Sequence, residues 1–231
     1  MPETNLNKVK EVAIAFLYFD IEPSEVGALA VYHPILETGF STINDNGKFE
    51  VINLLEDESG LKKIQSQIES RINKADDVVK VYIVIRKSYR LTFLKYIKPY
   101  TSKEDFSELL ADAWVSSENP NGDVNVSVPE LIQWFKEADK SKLMTEEDLS
   151  VYNSLPDSLT VYRGVSKGRN PQGISWTQNI ETAEWFANRW GDDGCIQSAF
   201  IPKEKALAYF NTRDEDELVV DTTDLSINVL S

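Results

Sequence analysis

Carboxylates, hydroxyls and an arginine stand in three short motifs in the second half of the chain. The motifs are Tyr162-Arg163-Gly164, Ser175-Trp176-Thr177 and Glu215-Asp216-Glu217. Alternate residues of a strand share a face, so Ser175 and Thr177 are expected on one face of their strand, and the two glutamates likewise on theirs. Carboxylates stabilise a developing positive charge, and a guanidinium binds phosphate. These residue types suit an anionic ligand whose reaction passes through a positively charged transition state.

The scarcity of cysteine and histidine excludes most other catalytic sites. The chain contains one cysteine, Cys195, and one histidine, His33. A zinc site needs about four Cys or His ligands, and one cysteine cannot form an intramolecular disulfide. His33 stands in the apolar run Val31-Tyr32-His33-Pro34, which favours a structural histidine over a catalytic base. Chemistry is therefore expected from carboxylates, hydroxyls, arginine or lysine, without a metal.

The elements that must position the motifs are helices followed by strands. Apolar residues at helical spacing predict a helix through residues 106–114, and capping patterns at Ser127 and Thr145 predict two more. Runs of β-forming residues then predict strands at residues 159–165, 173–177, 195–201, 217–221 and 226–230. One further helix is predicted by Ala183, Phe186, Ala187 and Trp190. This order predicts helices followed by a mostly antiparallel sheet.

Residues 1–100 predict a separate small α+β module. Short apolar runs predict strands at residues 11–19, 27–32 and 78–85, and Asn46-Gly47 predicts a hairpin turn before another strand at 48–52. Apolar residues at helical spacing predict one helix, through Leu61, Ile64, Ile68 and Ile72. This module has no catalytic signature, and its role stays open.

The distribution of charge supports a boundary at residue 100. The whole chain has a formal net charge of −14. Residues 1–100 carry 13 basic and 14 acidic side chains, whereas residues 101–231 carry 11 basic and 24 acidic ones. The acidic balance argues against non-specific binding to nucleic acid or to an anionic membrane. Two modules are predicted, at residues 1–100 and 101–231.

A basic and aromatic strip precedes this boundary. Residues 78–103 contain seven lysines and arginines interleaved with tyrosine and phenylalanine, and no acidic residue. Such a strip can bind nucleic acid or a partner. The interpretation we favour is that its aromatic residues belong to the core and that its basic residues face the acidic second module.

Composition and the start of the chain indicate a folded intracellular protein. Of its 231 residues, 42% are hydrophobic and 27% charged, which excludes a disordered or collagen-like chain. The first residues lack the features of a signal peptide, and no apolar stretch approaches the roughly 18 residues that a membrane helix requires. We expect a cytoplasmic protein that does not insert into a membrane.

The three motifs resemble those of the mono-ADP-ribosyltransferase family, in its Arg-Ser-Glu clade. An arginine on the first core strand, a Ser-x-Ser/Thr strand and a Glu-x-Glu motif before an apolar strand stand here in the family's order. The resemblance covers about residues 101–231 and implies short helices followed by a mostly antiparallel two-sheet core. Bacterial toxins and phage proteins occur in this family.

The resemblance implies NAD+ as co-substrate and a target protein as acceptor of ADP-ribose. Glu217 would bind the nicotinamide ribose and stabilise the cation. Glu215 would orient or deprotonate the acceptor. In this family a glutamate at that position goes with arginine as the acceptor. Ser175 would fix Glu217. The residues that would bind NAD+ are Tyr162, Arg163, Gly164, Ser175, Trp176 and Thr177.

The middle motif departs from the family's pattern, and the residues before the carboxylates correspond to a further part of it. Ser-Trp-Thr replaces Ser-Thr-Ser, so Trp176 belongs either to the core or to the wall around nicotinamide. Tyr209 and Phe210 precede the carboxylates at the place of the family's substrate-recognition turn, where an aromatic ring touches the target protein. The alternative for both rings is burial in the preceding strand.

Two other functions use the same residues. The first is an inactive binding module with this fold, whose acidic surface masks a basic or nucleic-acid-binding partner. The second is a glycosidase with a pair of carboxylates. The glycosidase explains neither Arg163 nor the order of the motifs.

Overall fold

A computed structural model describes residues 3–27, 29–45, 48–191, 193–212 and 214–230. The chain divides into two units, Met1–Asp105 and Phe106–Ser231. The boundary predicted from charge lies at residue 100.

Helices and short antiparallel strands form the first unit. In chain order its elements are α1 (Leu6–Leu17), β1 (Glu22–Pro23), β2 (Val31–Tyr32), β3 (Phe40–Asp45), β4 (Lys48–Asn53), α2 (Glu58–Lys74), α3 (Val78–Tyr82) and α4 (Arg90–Ile97). β1 pairs with β2 and β3 pairs with β4, both antiparallel. The predicted turn residues Asn46 and Gly47 lie outside the described residues.

Two predicted strands of this unit are helices. In α1, Val9, Ala13, Phe16 and Leu17 are buried at helical spacing, and the Asn5 side chain caps the first turn by accepting from the Lys8 N–H. In α3, Asp77 caps the first turn in the same way. The predictions at 11–19 and 78–85 are wrong because short apolar runs do not distinguish a buried strand from a buried helix. The predicted strand at 27–32 is reduced to β2.

Side chains of the basic and aromatic strip stabilise the first unit. Tyr82 and Phe93 are buried. The Arg86 guanidinium donates through one nitrogen to the carbonyls of Val31, His33 and Leu36, and the Arg90 guanidinium lies 4.7 Å from the Tyr82 ring centroid. These contacts give much of the strip a structural role.

The only histidine is part of the same core. His33 is 1% exposed. Its Nδ1 accepts the N–H groups of Ile35 and Leu36 at 3.0 and 2.9 Å. Burial lowers the pKa of the imidazole, so the neutral ring is favoured. This arrangement agrees with a structural histidine.

The second unit has helices first and a sheet afterwards. Its elements are α5 (Lys103–Ser116), α6 (Val128–Glu137), α7 (Lys140–Leu143), α8 (Glu146–Ser154), β5 (Ser158–Val165), β6 (Ser175–Thr177), α9 (Ile180–Asn188), β7 (Cys195–Pro202), β8 (Ala206–Phe210), β9 (Glu217–Val220) and β10 (Asn228–Leu230). The predicted caps are present: Ser127 and Glu130 form a capping box before α6, and Thr145 caps α8. Strand β8 was not predicted.

The strands of the second unit form one six-stranded antiparallel sheet in the order β10-β7-β5-β6-β9-β8. β5 pairs with β7 along its whole length, but with β6 only at Tyr162 and Thr177. The sheet therefore has two three-stranded halves joined at one residue pair. The α+β class and the antiparallel pairing are confirmed. The expected two-sheet core is not confirmed, because the pair Tyr162–Thr177 joins the two halves into one sheet.

Candidate functional site

The candidate site is a cleft in the second unit, beside the pair that joins the two halves of the sheet. Tyr162 and Thr177 both line it. Its walls come from β5, β6, the start of β9, α9, the end of α5 and the segment 117–121. The cleft therefore lies at the junction of the two halves of the sheet.

Glu217 lies at the cleft as the first residue of β9 and accepts two hydrogen bonds through one carboxylate oxygen. The Ser175 hydroxyl donates to its Oε1, and the Trp114 indole Nε1 donates to the same atom at 3.0 Å. Two donors that converge on one oxygen fix the rotation of the carboxylate.

Strand register explains the contact between Ser175 and Glu217. Thr177 lies opposite Glu217, and Ser175 lies opposite Val219. Ser175 and Glu217 are therefore diagonal neighbours on one face of the sheet. The predicted contact between Ser175 and Glu217 is present.

Trp114 reaches the carboxylate from α5. Its side chain is 1% exposed, and its ring packs edge-on against Phe135 at 5.1 Å between centroids. A tightly packed indole has few alternative rotamers, so its N–H points at Glu217 with little loss of entropy.

Arg163 is buried in the wall of the cleft, and its hydrogen bonds connect β5 with β6 and with the loop between these strands. Its two terminal nitrogens donate to the carbonyls of Ser175 at 2.6 Å and of Asn170 at 2.9 Å. A Cβ on Gly173 would lie 2.2 Å from the guanidinium, so a larger residue there would displace the Arg163 side chain. A direct contact between Arg163 and a phosphate stays a prediction.

Arg163 keeps its positive charge in this environment. Burial lowers the pKa of the guanidinium to about 10, and the nearby Glu217 carboxylate opposes that shift. At neutral pH the cleft therefore contains a buried cation close to a fixed carboxylate.

Gly164 allows helix α9 to pack directly on β5. A Cβ on Gly164 would lie 2.0 Å from the Ala183 carbonyl oxygen and 2.5 Å from the Ala187 nitrogen. Gly194 meets the same helix, where a Cβ would lie 2.0 Å from the Ala187 carbonyl oxygen. Since those atoms are backbone, they cannot turn away. Gly164 lines the cleft, as do Ala183 and Phe186 from α9.

The remaining residues predicted to bind NAD+ lie on the same cleft in different surroundings. Tyr162 is half-buried there. Trp176 is 2% exposed and donates from its indole to the Gly173 carbonyl at 3.2 Å, so it is a core residue that also borders the cleft. Thr177 is buried, and its hydroxyl accepts the Asn179 N–H at 3.1 Å.

Glu215 lines the cleft from the turn between β8 and β9 and is half-buried. The rings of Tyr209 and Phe210 do not extend from this turn. They are 5% and 4% exposed within β8. Every residue of that strand is buried. The structure therefore places both rings in the core, where Phe210 also borders the cleft, and Thr212 is an exposed turn residue that lines it. Arg213 lies outside the described residues.

Several cleft residues were missed in the sequence. Arg169, Arg189 and Trp190 line the cleft. The Arg189 guanidinium lies 5.2 Å from the ring centroids of both Trp185 and Trp190. Their sequence signal is weak, because an arginine between tryptophans is also usual on an exposed helix.

Asn121 was not predicted as a cleft residue either. Its hydrogen bonds fix one edge of the cleft. Its side-chain Oδ1 accepts the Ile174 N–H at 2.7 Å, and its carbonyl accepts from the Asn170 side chain at 3.1 Å. The sequence 116–125 indicated only a break between helices. The contacts that give Asn121 its role join segments about 50 residues apart.

Neither a metal centre nor a membrane helix is found among the described residues. No three or more His, Cys, Asp or Glu side chains are grouped there so that they could bind a metal ion. No helix in this part of the chain has the length and apolarity needed to span a membrane.

Comparisons with protein-family models, with curated proteins and with solved structures find no match to this chain. Function must therefore be argued from the cleft. The arrangement offers a carboxylate fixed by two donors, a buried cation beside it, a second carboxylate two residues away and aromatic walls. It is suited to stabilising a positively charged transition state on an anionic ligand.

Proposed function

We propose that the second unit is a mono-ADP-ribosyltransferase that transfers ADP-ribose from NAD+ to a protein side chain, with arginine as the acceptor. The observation that carries this proposal is Glu217 fixed by the Ser175 hydroxyl and the Trp114 indole in a cleft. The order of the three motifs along the chain is its second support.

In the proposed reaction, the bond between ribose C1′ and the nicotinamide nitrogen breaks first. Its electron pair leaves with nicotinamide, and the ribose acquires the character of an oxocarbenium ion. The Glu217 carboxylate would stabilise that charge and bind a ribose hydroxyl. Because the carboxylate is already oriented, it needs little rearrangement when the charge develops.

Positive charge and aromatic surface in the cleft suit the rest of NAD+. Arg163, Arg169 and Arg189 lie on one cleft with Trp190. Guanidinium groups bind diphosphate oxygens, and an indole stacks on a flat heterocycle. The positive charges are notable because residues 101–231 have only 11 basic side chains against 24 acidic ones.

Glu215 would act as the base for the acceptor. A guanidinium nitrogen of the target arginine would attack C1′ and release a proton, which the Glu215 carboxylate would accept. When water replaces the acceptor, the products are ADP-ribose, nicotinamide and a proton.

The experiment is transfer of ADP-ribose from NAD+ labelled in its adenosine to agmatine, a small guanidinium compound, and to poly-arginine. Wild type should label both acceptors, and Glu215→Gln should lose labelling while still releasing nicotinamide. Glu204→Gln, on an exposed turn before β8, is the matched control and should label normally. A folded wild-type protein that labels neither these acceptors nor any protein of a bacterial lysate would contradict the proposal.

One observation favours the alternative of an acidic binding module. Both terminal nitrogens of Arg163 already donate to backbone carbonyls, so the guanidinium has fewer donors for a diphosphate. This alternative predicts salt-sensitive binding to a basic partner that persists in Glu217→Gln, without turnover of NAD+.

A further inference from the structure

Different side chains hold Glu217 and the turn that carries Glu215. Glu217 is held by Ser175 and Trp114. Glu215 belongs to the turn between β8 and β9. Phe210 pairs with Glu217 at the ends of these strands, so residues 211–216 form the connection.

The turn is tied to β8 through a tyrosine hydroxyl. The Tyr209 hydroxyl donates to Asp216 Oδ1 at 2.6 Å. Tyr209 is 5% exposed, so its ring is fixed by packing and its hydroxyl has a defined position. Asp216 is the residue between the two glutamates, so this bond acts beside both. Glu217 is also held in β9 and by two donors, whereas Glu215 lies in the turn itself.

Asn211 adds a second tie at the start of the turn. Its side-chain Oδ1 accepts the Asp216 N–H at 3.1 Å. Its own N–H donates to Asp148 Oδ1 at 3.2 Å, and Asp148 is buried at the start of α8. The turn is thus anchored to a helix as well as to its strand.

The backbone of the turn needs such anchoring. Asp214 and Asp216 have φ angles of 56° and 47°. The left-handed region is unfavourable for residues other than glycine, although aspartate tolerates it better than most. A short turn with two such residues keeps one shape only when its surroundings favour that shape.

The hydroxyl of Tyr209 remains a donor under ordinary conditions. Burial raises its pKa, and the hydrogen bond to the Asp216 carboxylate raises it further. The bond to Asp216 is therefore available throughout the neutral pH range.

We propose that Tyr209 is a positioning residue for the acceptor: its hydroxyl fixes the turn that presents Glu215, and so it sets how much ADP-ribose goes to a guanidinium instead of to water. This inference rests on the proposed function. Because Ser175 and Trp114 donate to Glu217 from β6 and α5, outside this turn, cleavage of NAD+ depends on Tyr209 less than transfer does.

The test compares two products of the 231-residue chain: ADP-ribosyl agmatine and free ADP-ribose, each measured against nicotinamide released. Tyr209→Phe should lower the ratio of transfer to hydrolysis about fivefold to tenfold, the effect of one lost hydrogen bond. Tyr152→Phe is the matched control, since its hydroxyl donates to the Ala206 carbonyl at 3.0 Å, at the other end of β8. The control should keep the wild-type ratio.

Variants of the partner show whether the hydrogen bond itself is responsible. Asp216→Asn retains an oxygen that can accept from Tyr209, so its ratio of transfer to hydrolysis should stay close to that of wild type. Asp216→Ala removes the acceptor and also the aspartate that tolerates a φ of 47°, so it should lower the ratio at least as much as Tyr209→Phe does. Adding Tyr209→Phe to Asp216→Ala should lower the ratio no further. A purely structural role would lower both products together in each variant.

The outcomes separate this inference from the proposed function. If wild type transfers ADP-ribose and Tyr209→Phe keeps the wild-type ratio, the inference is wrong and the proposed function stands. If the folded wild type neither cleaves NAD+ nor modifies an acceptor, the proposed function fails and the inference fails with it.

Discussion

The indole nitrogen of Trp114 donates a hydrogen bond of 3.0 Å to the carboxylate of Glu217, although the two residues lie 103 positions apart. The bond connects α5, which precedes the sheet in the chain, with the start of β9. It shares its acceptor atom with the Ser175 hydroxyl. The helical part of the second unit therefore contributes directly to the orientation of the carboxylate on which the proposed chemistry depends.

Replacing Trp114 by phenylalanine should lower kcat for nicotinamide release about tenfold to a hundredfold with a small change in KM. The substitution keeps an aromatic ring in the core but removes a hydrogen bond to a charged group, which is worth about 1.5–3 kcal/mol. Steady-state release of nicotinamide from NAD+ is the measurement.

Trp134→Phe is the matched control for this substitution. Trp134 is also buried, on α6, where its ring packs edge-on against Phe106. It should keep nearly all activity. Because Trp114 and Ser175 donate to one oxygen, the double variant Trp114→Phe/Ser175→Ala should lose less than the product of the two single losses. Fully multiplicative effects would show that the two donors act independently.

Gly164→Ala should destabilise the second unit by roughly 1–3 kcal/mol, because the new Cβ would lie 2.0 Å from the Ala183 carbonyl oxygen. Urea unfolding followed by tryptophan fluorescence measures this change. All five tryptophans lie between residues 114 and 190, so the signal reports the second unit. Thr160→Ala, at an exposed position of β5, should cost at most about 1 kcal/mol. Equal stability of Gly164→Ala and wild type would contradict the close packing of α9 on β5.

Asp221 should make the stability of the second unit sensitive to acid. Its carboxylate lies 2.8 Å from the Lys136 ammonium and 3.4 Å from that of Lys205. Burial alone would raise its pKa, but hydrogen bonds from Lys136 and Thr223 and the charge of Lys205 outweigh burial and leave the pKa well below its usual range. A depressed carboxyl pKa contributes stability above the unfolded pKa of about 3.9, and this stability disappears as the pH falls further.

Asp221→Asn should therefore be less stable than wild type at neutral pH, by roughly 1–2 kcal/mol. Below about pH 4 the difference should shrink progressively, because the carboxylate binds a proton in the unfolded chain while the folded one stays ionised. Urea unfolding across this pH range is the measurement, with the exposed Asp157→Asn as control. A difference that stays constant down to the lowest pH would contradict the ion-pair explanation.

The second unit was more predictable than the first because local signals and packing agree there. The capping box of Ser127 and Glu130 marks the start of α6 in both sequence and structure. Strand β5 has clear alternation of buried and less buried residues. In the first unit, Val78 to Tyr82 has strong β-forming residues, yet the N-cap Asp77 and burial at positions 78, 81 and 82 make it a helix. Tertiary packing outweighs local propensity in such short apolar runs.

Within the cleft, the sequence indicated the residues but not all of their contacts. The contact of Ser175 with Glu217 follows from alternation in neighbouring strands. The bond from Trp114 joins distant elements, and no spacing rule reveals it. Tyr209 is a second example: its position in the chain left open whether its ring recognises a target or is buried in the preceding strand, and the structure shows the buried ring in β8.

The most direct test of the proposed function is nicotinamide release from NAD+ by purified wild type beside Glu217→Gln, with Glu204→Gln as control. Tryptophan fluorescence and urea unfolding establish that all three proteins are folded. Wild type and the control should release nicotinamide at the same rate, and Glu217→Gln should be slower by about a hundredfold or more, the usual effect of removing one group that stabilises transition-state charge. Equal release by Glu217→Gln and wild type, or no release by the folded wild type, would contradict the role assigned to Glu217.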